Sequence, residues 1–318
     1  LKDPTGKWAS KWKPDGGEVV RAYIASGTVD GKKGRELFCG KFFVDSLRTS
    51  GSPRVFEMRA VSIPMNTPIR RKMITKAWEK KTLKGIAQEI AAAAKVKLLF
   101  DSKENPSYDR QDQKAESNLK FLSRLCEDAG LSIKVTDSQI VIFDQAFYEK
   151  KKPVKTLTLG VSDILSWDFE SQQSETYKSC TISYRNPKEK KKSSAGGYTS
   201  NEYDIDAVPE KKNPAVMTYT YVDPNADDDG QEYQVKKRAT SIDEAKRIAK
   251  ATLRKLNLRK MTGSLSLVGD TSLVAGVVIK LKGFGSFDGG FIIESASHSV
   301  STSGYVTSLS VRRVNNNY

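Results

Sequence analysis

The chain's single histidine, His298, sits in the alternating stretch SASHSVST (295–302). A nucleophilic triad or a zinc site needs a histidine beside a nucleophile or further ligands. No Gly-x-Ser-x-Gly elbow and no His-Glu-x-x-His motif accompanies it, so His298 reads as a strand residue held by packing or a hydrogen bond. Asp101, Asp109, Asp112 and Glu116 crowd the approach to a predicted helix. A carboxylate pair there could do acid–base work on a glycan. Acidic side chains are equally favoured before a helix by its dipole and free N–H groups, and the four read as structural. The glycine-rich run 283–290 has Asp288 where a dinucleotide cradle needs a third glycine, and no helical pattern follows it. It reads as a turn between strands. Lys188, Lys190, Lys191 and Lys192, with only Tyr198 and Tyr203 near, read as a solvated loop; Trp78 and Trp167 read as buried anchors. Cys39, Cys126 and Cys180 are too far apart to form a ligand cluster, and Cys126 falls on an apolar helical stripe. Buried reduced thiols imply folding in a reducing cytoplasm. No catalytic, cofactor-binding or metal-binding residue is assigned, and the chain is not expected to be an enzyme.

These residues belong to a chain of 318 residues with a net charge of +15. Its length predicts two or three domains. No apolar run approaches the roughly 18 residues of a membrane span. A basic chain can meet acidic protein, lipid, wall polymer or nucleic acid, but no groove-reading motif is present, so sequence-specific nucleic-acid binding is not expected. The chain opens at Leu1 in what reads as the middle of a domain, which implies that part of that domain precedes it.

Stretch 76–144 carries the clearest signals. Leu83, Ile86, Ala87, Ile90, Ala91 and Ala94 form one helical stripe behind a Thr82 cap. Residues 97–100 suit a strand, and YDRQDQ reads as a loop. Leu119, Leu122, Leu125, Cys126 and Ala129 form a second stripe, capped by Ser117 and stopped by Gly130. Residues 132–136 and 139–143 read as a hairpin. Before this module, 18–25, 35–46 and 55–62 alternate as strands, with Trp8 and Trp12 in a loop packed against them. After it, 156–159, 164–170 and 176–184 resume the β pattern. Residues 186–214, rich in Lys, Ser, Gly and Pro, read as a mobile insert. A hairpin, 216–222 with 232–235, is expected around Asp227, Asp228 and Asp229. Ser241 and Glu244 form a capping box that opens a helix with Ala245, Ile248, Ala249, Thr252, Leu253 and Leu256 on one face. Residues 262–314 are strands with glycine turns. The fold class is α+β, mainly β: two small antiparallel β-barrels with an inserted helix-strand-helix-hairpin module. The divisions are 1–68 for the first barrel, 69–152 for the module, and 153–318 for the second barrel with its flanking helix.

The module, with TLKGIAQEIA, YDRQDQ, ESNLKFLSRLCEDAGL and KVTDSQIVIFD, resembles the central insert of the phage late-control D family. The C-terminal stretch resembles the same family at Gly269-Asp270, Ala275-Gly276, Asp288-Gly289, His298, Gly304-Tyr305 and Thr307. The likeness covers most of the chain outside 186–232. It implies a non-catalytic tail or baseplate hub protein of a phage, prophage or tailocin, assembled in the bacterial cytoplasm. Its implied partners are two further copies in a homotrimer, a tail tube protein, a central spike protein and a tape-measure protein ending in the lumen. A trimer of two similar barrels would present six of them to a six-fold tube. An alternative reading rests on the likeness of TLKGIAQEIA to peptidoglycan-binding LysM repeats: a wall-binding or wall-degrading module of a tail.

Overall fold

The computed structural model describes residues 1–25, 36–62, 68–136, 138–172, 176–185, 216–223 and 230–315. It divides into two compact units. One holds Leu1–Glu127, Leu131–Asp168 and Gly263–Val314; the other is chiefly Phe169–Thr262. The lysine run at 188–192, the insert 186–214 and the acidic tip 227–229 lie outside the described residues.

The first unit opens with a loop and three antiparallel strands, β1 (Val19–Ala25), β2 (Glu36–Ser50) and β3 (Val55–Val61), in that order across the sheet. Trp8 stacks on Phe56 at 6.0 Å and Trp12 meets Trp8 edge-on at 5.6 Å, so the loop does pack its aromatics against the strands.

The module follows as α1 (Pro68–Arg71), β4 (Met73–Thr82), α2 (Leu83–Ala93), β5 (Lys97–Asp101), β6 (Ser107–Ser117), α3 (Asn118–Asp128), β7 (Ser132–Val135), β8 (Gln139–Phe143) and α4 (Gln145–Glu149). Both caps form as expected: Gly85 N–H donates to Thr82 Oγ1 at 3.1 Å, and Lys120 N–H to Ser117 Oγ at 3.3 Å. Gly130, at φ +72°, ends the second helix in the left-handed region where a side chain would be strained. The hairpin β7–β8 is present, and β5 lies parallel to β8 on its far side. One expectation fails. YDRQDQ is not a loop but part of β6, which pairs antiparallel with β4. Its buried face is polar: Gln113, fully buried, accepts from Trp78 Nε1 at 3.1 Å and donates to Glu116 O and Asn118 Oδ1, both at 3.0 Å.

Next come β9 (Lys155–Thr158) and β10 (Ile164–Ser171). The second unit is built from β11 (Tyr177–Arg185), β12 (Val216–Val222), β13 (Gln231–Ala239) and α5 (Ile242–Asn257). The expected hairpin of 216–222 with 232–235 does not form. β11 lies between the two strands, antiparallel to β12 and parallel to β13. Against this sheet α5 buries Ala245, Ile248, Ala249 and Leu253, which meet Cys180, Ile182 and Tyr184. Ser241 caps α5, accepting from Glu244 N–H at 3.2 Å. At the far end Asn257 acts as a strand surrogate: it accepts from Tyr177 N–H at 3.0 Å and donates to Tyr177 O at 2.9 Å.

The chain then lays down β14 (Met261–Val268), β15 (Val278–Lys282), β16 (Gly289–Ser301) and β17 (Gly304–Arg313). With β9 and β10 they form one sheet in the order β10-β14-β17-β16-β15-β9. The pairing of β9 with β15 is parallel, an exception to the antiparallel pattern expected. In a flat sheet of six strands the edges would stand roughly 24 Å apart. Here the edges β9 and β10 are consecutive. Ser162 N–H donates to Thr158 O at 2.9 Å, so β10 begins within roughly 10 Å of the end of β9. The sheet is therefore strongly curled, around Leu157, Leu265, Leu267, Ile279, Phe291, Ile293, Leu309 and Val311, all buried.

Leu253 and Leu256 lie on the same expected stripe of α5, but Leu253 is buried and Leu256 half-buried. Leu253→Ala is expected to destabilise by about 2–5 kcal/mol, and Leu256→Ala by clearly less, in urea unfolding followed by circular dichroism.

Candidate functional site

Period-two alternation puts Tyr305 and Thr307 of β17 on one face, and register sets Thr307 opposite His298 of β16. There His298 Nδ1 lies 2.8 Å from Tyr305 Oη and 3.2 Å from Thr307 Oγ1. Thr307 Oγ1 also accepts from Asp270 N–H at 3.0 Å, and Gly269 N–H donates to Tyr305 O at 2.8 Å. The turn after β14 is thus bound to β17 twice. Gly269 is required there by close approach: an added Cβ would come within 2.0 Å of the Tyr305 ring. The Asp270 carboxylate turns to other partners, Lys155 Nζ at 2.5 Å, Ser272 N–H at 2.9 Å and Ser272 Oγ at 2.6 Å. Burial alone would push its pKa up, but the hydrogen bonds from Lys155 and Ser272 outweigh burial and hold it below the ordinary value. Beside this knot, where the two edges of the curled sheet approach, lies a half-open cavity of about 550 Å³, walled by Lys155, Leu157, Asp163, Leu267 and Leu273.

The arrangement fastens turns and positions no reactive group. The His298 Nδ1 meets two hydroxyls, while the Asp270 carboxylate is committed to Lys155 and Ser272. The glycine run 283–290 is a turn between β15 and β16, in which Phe284 N–H donates to Asp288 Oδ1 at 2.7 Å. Arg313 Nη1 and Nη2 donate to Ser286 O at 3.1 Å and Asp288 O at 2.5 Å. Gly289, at φ +131°, leaves the space that the Arg313 guanidinium fills.

The four carboxylates singled out in the sequence are not gathered into an acid–base pair. Asp101 ends β5 and accepts from Tyr148 Oη at 2.6 Å. Asp112 pairs with Arg110 at 2.9 Å, Glu116 with Arg124 at 2.8 Å, and Asp109 is exposed on β6. Trp78 is buried and stacks on Phe121 at 5.9 Å, an anchor as expected. Trp167 is not buried: it is 48% exposed and meets Phe284 edge-on at 5.5 Å, because β10 is an edge strand of the curled sheet. Cys126 and Cys180 are buried thiols, pushed up to about 12 and about 11 by burial, while Cys39 is exposed.

One charged cluster gave no sequence signal. Arg312 of β17 is fully buried, and its Nη2 lies 2.5 Å from Oε1 of Glu149 of α4, whose side chain is 1% exposed; Nε lies 3.1 Å from Glu294 Oε1. The paired residues are 163 positions apart.

Among the described residues, the side chains singled out in the sequence thus hold turns, caps and ion pairs of a curled β-sheet and an α+β module. The family model described as phage tail baseplate hub (GPD) matches residues 69–304, and the chain belongs to that family. It is 28% identical over 182 residues to the "Probable baseplate hub protein" of Escherichia phage P2, an alignment covering 56% of this chain and 45% of that protein. The chain thus spans less than half of that relative. Among solved structures, the tail protein from Neisseria meningitidis MC58 gives a TM-score of 0.64 at 14% identity, covering 95% of this chain and 91% of that one. The 43 kDa tail protein of prophage MuSo2 from Shewanella oneidensis gives 0.62 at 13%, covering 94% and 91%. At such identities the likeness is one of fold.

Two outcomes follow from the buried groups. Glu149→Leu or Arg312→Met alone strands a charge and is expected to cost about 3–5 kcal/mol, while the double replacement recovers most of that loss in urea unfolding. Because the folded pKa of Asp270 is depressed, its stabilisation is present above the ordinary carboxylate value and fades as pH falls below about 4. Thermal unfolding across that window should lose less stability in Asp270→Asn than in the parent chain.

Proposed function

We propose that three copies of this chain form a ring joining a tail tube to a central spike. The match of residues 69–304 to the baseplate hub family carries this reading. In it, residues 1–68 and 153–318 supply two small barrels and residues 69–152 the module between them. The curling that brings β9 and β10 together supports the second barrel. The first is represented by β1, β2 and β3 among the described residues. Two barrels in each of three subunits would meet a six-fold tube, with the spike held at the other end and a tape-measure protein ending in the lumen.

The role is assembly and symmetry matching, with no catalytic step. Rigidity is what that role needs, and the turn locks at Gly269 and Asp288 and the buried Arg312–Glu149 pair favour it. The buried, unpaired thiols of Cys126 and Cys180 fit assembly in the bacterial cytoplasm before release of the particle. Obligate subunits commonly bury about 2,000 Å² or more, so the ring should persist at low concentration. Native mass spectrometry at micromolar concentration is expected to show a species of three 35.3 kDa subunits. A chain that stays monomeric, both alone and with its spike protein, contradicts the reading.

A further inference from the structure

The sheet β5-β8-β7 has two unlike faces. Ile140 and Ile142, in register with Leu98 and Phe100, are fully buried, and α2 packs on β5. Alternation puts Lys97, Leu99 and Asp101 of β5, Gln139, Val141 and Phe143 of β8, and Lys134 of β7 on the other face. That face is open at its centre, where Leu99 is 50% exposed. Over one end α4 lays two aromatic rings. Tyr148 meets Phe143 edge-on at 5.3 Å and donates its hydroxyl to Asp101. Phe147, 58% exposed, stands edge-on to Tyr148 at 5.8 Å. Lys151 Nζ lies 3.9 Å from the Tyr148 ring centre and 5.5 Å from that of Phe147.

Positive charge predominates around these rings. Of the bordering carboxylates, Glu149 is paired with Arg312, while Asp101 and Asp144 keep their charge and accept from Tyr148 Oη and from Ala146 N–H at 2.8 Å. Lys97, Lys134, Lys150 and Lys152 have no ion-pair partner among the described residues. The face therefore combines the exposed ring of Phe147, the half-buried ring of Tyr148, an aliphatic centre and more ammonium groups than carboxylates.

We propose that this face binds an anionic glycan. The apolar C–H faces of hexose rings lie on Phe147, Tyr148 and Leu99, and carboxylate or phosphate groups along the chain meet the lysines. Flat amphipathic rings suit a ligand that is apolar on its faces and polar at its rim. A protein partner fits less well. The sheet platform is only about 10 Å across, whereas a stable protein interface takes about 800 Å² per partner and is depleted in lysine. The excess of ammonium groups selects an anionic chain over a neutral one.

The test is isothermal titration of the purified chain with decagalacturonate, with neutral cellohexaose, and with poly-L-glutamate at matched charge concentration. Decagalacturonate is expected to bind. Phe147→Ala and the pair Lys97→Gln with Lys134→Gln should each weaken it by about fivefold or more at an unchanged unfolding temperature. Phe147→Leu, which keeps apolar bulk and removes the ring, should fall with the alanine variant. Cellohexaose and poly-L-glutamate should bind about fivefold more weakly or worse. The proposal is overturned by absent decagalacturonate binding, by binding indifferent to Phe147, by equal binding of the neutral sugar, or by equal binding of poly-L-glutamate. The last result would assign the face to an acidic protein. The titration reads the chain by itself, so its outcome is separate from that of the ring.

Discussion

The buried ion pair of Arg312 with Glu149 is the constraint on which the first unit depends. Taking two charges out of water costs several kcal/mol each, and both side chains are essentially inaccessible. Such a pair persists only while both partners are in place, so it is tolerant of one arrangement. It ties α4, the last element of the module, to β17 in the middle of the curled sheet. Six residues beyond Glu149 the chain begins β9, which must align in parallel with β15. Fixing α4 fixes where that edge strand starts. Glu294, still partly exposed, shares the guanidinium without adding a second fully buried charge.

The same logic governs the polar knot at the end of β14. Thr307 is fully buried, and its oxygen serves both Asp270 N–H and His298. Gly269 and Gly289 are small for one reason: a ring occupies the space beside the first and a guanidinium the space beside the second. Residues that in another fold would be read as chemistry (a histidine, an aspartate, a glycine run) here hold turns onto strands. Each such contact fixes one turn in one place on its strand.

Much of the fold is legible from local pattern. The helical stripes and the caps Thr82, Ser117 and Ser241 specify α2, α3 and α5 because stripe and cap are local signals. Along the α3 stripe, Leu122, Leu125, Cys126 and Ala129 are buried as expected, Leu119 is half-buried, and Phe121 joins the buried face. What escaped depends on distant partners. The ribbon β4–β6 is charged on both strands and buries a glutamine, so no apolar alternation marks it. The placement of β11 between β12 and β13 defeats the rule that neighbours in sequence pair in space. Arg312 sits in an ordinary strand pattern, and nothing near it points to Glu149. The platform on β5 and β8 escaped for a similar reason: 97–100 reads only as an apolar strand, and its pairing with β8 decides that Leu99 faces outward. The candidate residues themselves were legible only as structural ones, and the contacts explaining why they hold their turns are long-range.

In the proposed function this chain sits as the hub of a tail or tail-like particle. Cryo-electron microscopy of particles from an induced source culture tests it most directly. The curled sheet and the module should fit density at the distal end of the tail tube, in three copies around the axis. Intact particles with a resolved baseplate whose hub density is filled by another protein, and which nowhere contain this chain, would contradict it.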